Sequence, residues 1–135
     1  MANIDGIVYL ILAACLLPYV FSIIAKIAGG FRSEDNQNPR EFLAKSTGLA
    51  ARANAVQQNS FESLPLFIAA VLMCELLIVH QFVVMTFGIA YLVFRILYGL
   101  CYLLNLASLR SVMWLLSMLC PITMLLIAGR IIFQA

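Results

Sequence analysis

Two short runs of polar side chains interrupt the long apolar stretches of this 135-residue chain. In the first run, Arg52, Asn59 and Glu62 are separated by seven and then three residues. At 3.6 residues per turn, that spacing places all three on one face of a helix. A guanidinium, an amide and a carboxylate on one face can together bind a polar ligand that carries charges of both signs.

The second run contains Arg95, Tyr98, Tyr102 and Asn105, which recur at intervals of three, four and three residues and so also predict a single helix face. An unpaired arginine in lipid costs at least ~2.5 kcal/mol, so Arg95 is expected to face protein or water. Glu62 is the only acid in the same half of the membrane and is its expected partner. An Arg95–Glu62 pair could also serve only to join two helices.

Both runs are expected to lie in the same half of the membrane, where they can line one cavity that opens to the cytoplasm. No metal site is predicted, because the four cysteines lie in apolar runs without metal or redox spacing. The net charge of +2 and the absence of a basic cluster argue against a nucleic-acid partner.

Composition determines which elements must position these residues. The chain is 64% apolar and 10% charged, with a mean hydropathy of +1.04. So few charges cannot cover the surface of a soluble domain of this size. Backbone groups in lipid must be paired, so the spans must be helices of about 20 residues. We therefore predict an all-α membrane protein, a four-transmembrane-helix up-down bundle forming one domain over residues 1–135, with spans near 6–28, 55–79, 82–105 and 111–132 and a polar loop near 29–51.

The distribution of basic residues predicts the orientation of the bundle. Asn38 followed by Pro39 predicts the start of the second helix. Arg130 is the only basic residue on the side opposite to this loop. The other basic residues expected outside the hydrocarbon region lie on the same side as the loop: Lys26, Arg32, Arg40, Lys45, Arg52 and Arg110. The positive-inside rule therefore places the loop in the cytoplasm and both termini on the opposite side.

Three segments of the chain resemble the conserved segments of a known protein family. The segment RANAVQQNSFESLPLF, residues 52–67, resembles the second-helix signature of the MAPEG family, the membrane-associated proteins in eicosanoid and glutathione metabolism. The run FRILYGLCY, residues 94–102, is similar to the arginine, aromatic and tyrosine spacing of that family's third helix. Arg110-Ser111 resembles a fourth-helix arginine that activates the glutathione thiol in catalytic members. The overall amino-acid sequence is most similar to bacterial members of unassigned activity.

This resemblance implies a homotrimer that binds glutathione, as a co-substrate, in a U shape between neighbouring subunits. It also implies that Arg110 polarises the sulfur of glutathione. Catalytic members generally carry another arginine where this chain has Ala55, and Arg52 could replace it from one turn away. By position, the residues that would hold the tripeptide are Asn59, Glu62, Arg95, Tyr98 and Tyr102, with Arg52 in the compensating role.

Three functions follow as hypotheses. The first is an enzyme, a glutathione-dependent transferase or peroxidase for a lipophilic electrophile that enters from the bilayer, in a bacterial inner membrane. The second is a non-catalytic member of the same fold that binds a lipid or a partner, as Ala55 suggests. The third is a small multidrug transporter with four spans, although such exporters need a buried acid in the first span and none is present there.

Overall fold

The structure, a computed structural model, describes the backbone of residues 4–134 and the side chains of residues 6–131. The ends of the predicted 1–135 domain, residues 1–3 and 135, lie outside the described residues. Every regular element in the described part is helical, which confirms the all-α prediction. The elements are α1 (Ile4–Gly29), a 3-10 helix (Ser33–Gln37), α2 (Pro39–Lys45), α3 (Gly48–Leu76), α4 (Gln81–Leu103) and α5 (Ala107–Gln134).

Four of these helices form the membrane-spanning bundle. The stretches long and apolar enough to cross a membrane are Gly6–Gly29, Gly48–Leu76, Gln81–Leu103 and Ala107–Ile131. Many large apolar side chains on these helices are exposed, which suits contact with lipid. Short turns join α3 to α4 and α4 to α5, so successive spans run in opposite directions. The chain is an integral membrane protein with an up-down four-helix architecture.

The second span and its approach differ from the prediction. Pro39 does begin a helix, but this is the short α2, which ends at Lys45 because Ser46 and Thr47 adopt extended backbone. The Ser46 hydroxyl donates to the Leu43 carbonyl and helps to close α2. The helix α3 then begins at Gly48, after the helix start predicted at Pro39 and before the span predicted near residue 55, so the predicted second helix consists of two helices. Hydropathy marks only the apolar part of a helix, so the polar first turns of α3 were assigned to the loop.

The third span ends earlier than predicted. The helix α4 stops at Leu103, and Asn105 adopts a positive φ of 59° in the turn that follows. Asparagine tolerates this left-handed conformation better than most residues. The Leu106 amide donates to the Cys101 carbonyl at 2.8 Å, which closes the turn. The prediction that Asn105 continues the helix face of Arg95 is therefore wrong.

Packing determines how the site helices meet. The helix α1 packs mainly on α3, and α4 mainly on α5, while α3 also contacts both α4 and α5. Between α3 and α4, the Phe67 and Tyr91 rings stack with centroids 4.0 Å apart and planes within 7°. Gly99 lets α1 approach α4 closely, because the Phe21 ring occupies the space of a β-carbon.

Candidate functional site

An open groove of about 210 Å³ lies beside the turn that joins α4 to α5. The helix α4 contributes two tyrosines, and the first three turns of α5 contribute the remaining side chains. The tight turn after α4 reverses the chain direction within a few residues, so the start of α5 lies next to the end of α4. The groove is lined by Tyr98, Tyr102, Arg110, Ser111 and Trp114.

Arg110 is positioned in this groove by an aromatic contact. Its guanidinium carbon lies 4.4 Å from the centroid of the Tyr102 ring, within the range of a cation–π interaction. The Tyr102 ring in turn meets Tyr98 edge-on, with centroids 5.7 Å apart and planes at 78°. Arg110 forms no ion pair with any residue that the structure describes. Its charge is therefore available to an anion in the groove.

Arg95 occupies a different environment, inside the bundle. Its side chain is 0% exposed. The Nη2 atom donates to the Ser60 hydroxyl at 2.9 Å, and the guanidinium carbon lies 4.4 Å from the Tyr98 ring centroid. Within the described residues, Nε and Nη1 have no hydrogen-bond partner. Arg95 thus faces protein, links α3 to α4 and does not line the groove.

The expected ion pair between Arg95 and Glu62 is absent from the described residues, so this prediction is wrong. Glu62 is exposed, and its carboxylate accepts a hydrogen bond from the Asn59 amide at 3.4 Å. The reason is helix geometry: Glu62 follows Ser60 by two residues, or about 200° around the axis. A residue on the Ser60 side of α3 therefore cannot share a face with Glu62.

The other two candidates on α3, Arg52 and Asn59, lie between its buried face and the exposed side that carries Glu62. Arg52 is half-buried, and its Nε donates to the Leu103 carbonyl at 3.2 Å, at the end of α4. Asn59 is half-buried and contacts Glu62. The lining of the α4–α5 groove contains none of these three residues. Within one chain, the candidates divide into an α4–α5 group (Tyr98, Tyr102, Arg110), an outward α3 group (Asn59, Glu62) and two internally bonded arginines (Arg52, Arg95).

Sequence reasoning missed the two buried serines of α3. Ser60 holds Arg95, and Ser63 shares a 2.8 Å hydrogen bond with the Tyr91 hydroxyl while donating to the Ser60 carbonyl at 3.1 Å. A usable signal was present, because Val56, Ser60, Ser63 and Phe67 follow the three-and-four spacing of a buried helix face. The more strongly polar residues next to the serines concealed that pattern.

Comparison with known proteins adds one finding. A family model described as the MAPEG family matches residues 6–130 of this chain. That match includes all four spans, the groove and the polar face of α3. A comparison with curated proteins finds no match to the chain.

Proposed function

The chain belongs to the MAPEG family, and from this premise we propose that it is a glutathione-dependent membrane transferase or peroxidase that acts on lipophilic electrophiles. The family context is that of membrane proteins in eicosanoid and glutathione metabolism. The observation that supports the proposal best is the guanidinium of Arg110, which has no ion-pair partner among the described residues and lies in a groove with Tyr98, Tyr102 and Ser111. A cation placed beside an open groove can attract and stabilise a thiolate.

The chemistry requires glutathione to lose its thiol proton to water, which leaves a thiolate beside Arg110. In conjugation, the thiolate forms a C–S bond with an electrophilic carbon, and the leaving group departs with the electrons of its bond. In peroxide reduction, the thiolate attacks one peroxide oxygen, and the alkoxide that leaves takes a proton from water to become an alcohol. A second glutathione then converts the sulfenic acid to the disulfide and water. In both cases Arg110 lowers the free energy of the charged sulfur.

The charged residues fit glutathione as a substrate, because Arg110 suits its negative groups and Glu62 suits its ammonium. The outward group on α3, Asn59 and Glu62, is separate from the groove within one chain. We propose that a homotrimer brings the outward face of α3 of one copy against the groove of its neighbour. Trp114 is 41% exposed at the groove, so a lipophilic second substrate has an apolar surface on which to enter from the bilayer.

The decisive experiment measures the ultraviolet absorbance of the thiolate when glutathione is added to purified protein at neutral pH. Wild type is expected to produce the band, and Arg110→Ala to bind glutathione while the thiolate fraction falls by roughly tenfold or more. Arg110→Lys, which keeps the charge, is expected to retain part of the band. Arg130→Ala removes an arginine outside the groove and is the matched control. Failure of wild type to bind glutathione would refute the proposal.

A second candidate function is a non-catalytic membrane protein of this family that binds a lipid or a partner. It is favoured by Ala55 at the position of another arginine, and by the engagement of Arg52 with the Leu103 carbonyl. In this case a co-purified lipid, detected by mass spectrometry of the intact complex, should persist when excess glutathione is added. The transporter hypothesis receives no support from the family match.

The sidedness of the protein is also a proposal. We propose a bacterial inner membrane, and we place the segment between α1 and α3 in the cytoplasm because more lysines and arginines lie on that side of the membrane than on the other. In a cysteine-free background, a membrane-impermeant maleimide should label Ile78→Cys, at the opposite turn, in spheroplasts. Asn36→Cys should react only after lysis. Labelling of Asn36→Cys in sealed spheroplasts would invert the orientation.

A further inference from the structure

We propose that Arg95 is a positioning residue for the groove, which acts on bound glutathione only through Tyr98 and makes no contact with the substrate. This inference rests on the proposed function for the identity of the ligand. The family resemblance implied that Arg95 contacts the tripeptide directly. The role proposed here is different, because Arg95 acts without that contact.

The geometry is a continuous arrangement of side chains from the bundle interior to the groove. Ser60 on α3 accepts a hydrogen bond from Arg95 at 2.9 Å. The Arg95 guanidinium lies 4.4 Å from the Tyr98 ring, the Tyr98 and Tyr102 rings are 5.7 Å apart, and Arg110 lies 4.4 Å from Tyr102. We call the last four residues, Arg95, Tyr98, Tyr102 and Arg110, the arginine–tyrosine stack. One end of the stack is closed by Ser60, and the other end lines the groove.

Burial separates the roles of the two arginines. Arg95 is 0% exposed within a single chain, and a side chain buried by its own chain stays buried when further copies assemble. A ligand in the groove therefore meets Tyr98 and Tyr102 before it could meet Arg95. Arg110, by contrast, is half-buried and lines the groove directly.

Stability alone does not account for an arginine at this position. Its Nε and Nη1 atoms have no hydrogen-bond partner among the described residues. A buried charged group is often no more favourable than an apolar side chain of similar volume. What an arginine supplies and a methionine does not is a planar cation that stacks on a ring while it donates to Ser60. The Tyr98 ring therefore has the guanidinium 4.4 Å from its centroid and also packs in one apolar cluster with Phe21 and Val56.

The consequence for binding follows from that restraint. Without the guanidinium, Tyr98 loses one of the contacts that hold its ring, and Tyr102 loses a fixed edge against which to pack. Arg110 then rests on a less ordered ring. Misplacing binding groups weakens substrate affinity and productive orientation, although no contact with the substrate has been removed.

The experiment compares Arg95→Met, Arg95→Lys and Ser60→Ala in the full-length protein, with Met124→Leu as a control for a buried change outside the stack. Three quantities are measured: the melting temperature, the dissociation constant and KM for glutathione with an aryl chloride as electrophile, and the ¹⁹F spectrum of 3-fluorotyrosine incorporated at position 98. The fluorine spectrum is recorded without glutathione.

We expect Arg95→Met to fold with an unchanged or higher melting temperature and to show a shifted or broadened ¹⁹F resonance. Its KM for glutathione should rise roughly tenfold, whereas kcat should change about threefold or less. Arg95→Lys keeps a cation near the ring and should restore part of the affinity. Ser60→Ala should move the fluorine resonance in the same direction, and Met124→Leu should leave it in place.

Opposite results would overturn the inference. If Arg95→Met and Arg95→Lys leave the ¹⁹F spectrum unchanged while glutathione affinity falls, Arg95 contacts the substrate directly. If Arg95→Met does not fold, Ser60→Ala decides, and an unchanged spectrum with unchanged affinity refutes positioning. If wild type does not bind glutathione, the proposed function fails, and the fluorine spectra still support or refute the restraint of Tyr98 by Arg95.

Discussion

A methyl group added at Gly99 would test how closely α1 and α4 must approach behind the groove. An ideal β-carbon there would lie 2.1, 2.6 and 3.0 Å from three carbon atoms of the Phe21 ring. Ordinary carbon–carbon contact is about 3.5–4.0 Å, so the ring must retreat by more than about 1 Å. Phe21 is 4% exposed and packs with Val56 and Tyr98, which leaves it little space. Overpacking costs about 1–3 kcal/mol, and the higher helix propensity of alanine offsets up to about 1 kcal/mol. We expect Gly99→Ala to lower the free energy of unfolding by about 1–2 kcal/mol.

The assay is thermal unfolding in detergent, followed by the fluorescence of Trp114, the only tryptophan and a groove residue. Gly99→Ala should melt several degrees below wild type. Gly129→Ala is the matched control, because an ideal β-carbon there meets no described atom of another element within 4 Å, and it should melt at or slightly above the wild-type temperature. Phe21→Leu should couple favourably to Gly99→Ala in a double-mutant cycle. A Gly99→Ala protein as stable as wild type, with no coupling, would refute the close approach of α1 to α4.

Three further outcomes are expected. Ser63→Ala and Tyr91→Phe each remove the buried 2.8 Å hydrogen bond between the two hydroxyls, and each should lower the free energy of unfolding by about 1 kcal/mol. In thermal melts, the double variant should lose less than the sum of the two single losses, and strictly additive losses would contradict the bond. The hydrogen bond and charge of Lys45 lower the pKa of Glu41, so its stabilising contribution is present above the unfolded pKa and lost as pH falls through the folded one. Lys45→Met should therefore raise the pKa of Glu41 in a carboxyl ¹³C titration, and an unmoved midpoint would count against the pair. Ile78 has a positive φ of 53° with its side chain 89% exposed, so Ile78→Gly should raise the free energy of unfolding by roughly 1 kcal/mol. A melting temperature no higher than that of wild type would contradict this expectation.

Much of the fold could be predicted because lipid imposes a simple requirement. A span must be helical, apolar and about 20 residues long, so hydropathy alone indicates four spans. Boundaries were harder, because a helix that extends beyond the lipid no longer needs apolar residues. For this reason the first turns of α3, from Gly48, were assigned to the loop. The end of α4 depends on the left-handed conformation of Asn105, a local choice that an asparagine permits without requiring it.

The candidate site could be predicted in part, for a different physical reason. Helical spacing indicates which residues share a face, and it groups Arg95 with Tyr98 and Tyr102 as the structure does. Spacing does not indicate which neighbouring helix that face meets or at what rotation. Glu62 was chosen as the partner of Arg95 because of its charge, whereas the rotation of α3 presents the hydroxyl of Ser60 instead. Partner choice depends on helix packing, which a single sequence does not determine.

The balance of charge around the groove connects the fold to its proposed substrate. The lining of the groove contains one guanidinium, that of Arg110, and no acid, and Arg110 forms no ion pair within the described residues. Glu62 is directed toward Asn59 on the outward face of α3. Positive charge that the chain does not neutralise makes the groove more favourable for an anion than for a neutral or cationic molecule. Glutathione has one more carboxylate than ammonium, and loss of its thiol proton adds a further negative charge. The same excess of positive charge therefore favours both the binding of glutathione and its conversion to the reactive thiolate.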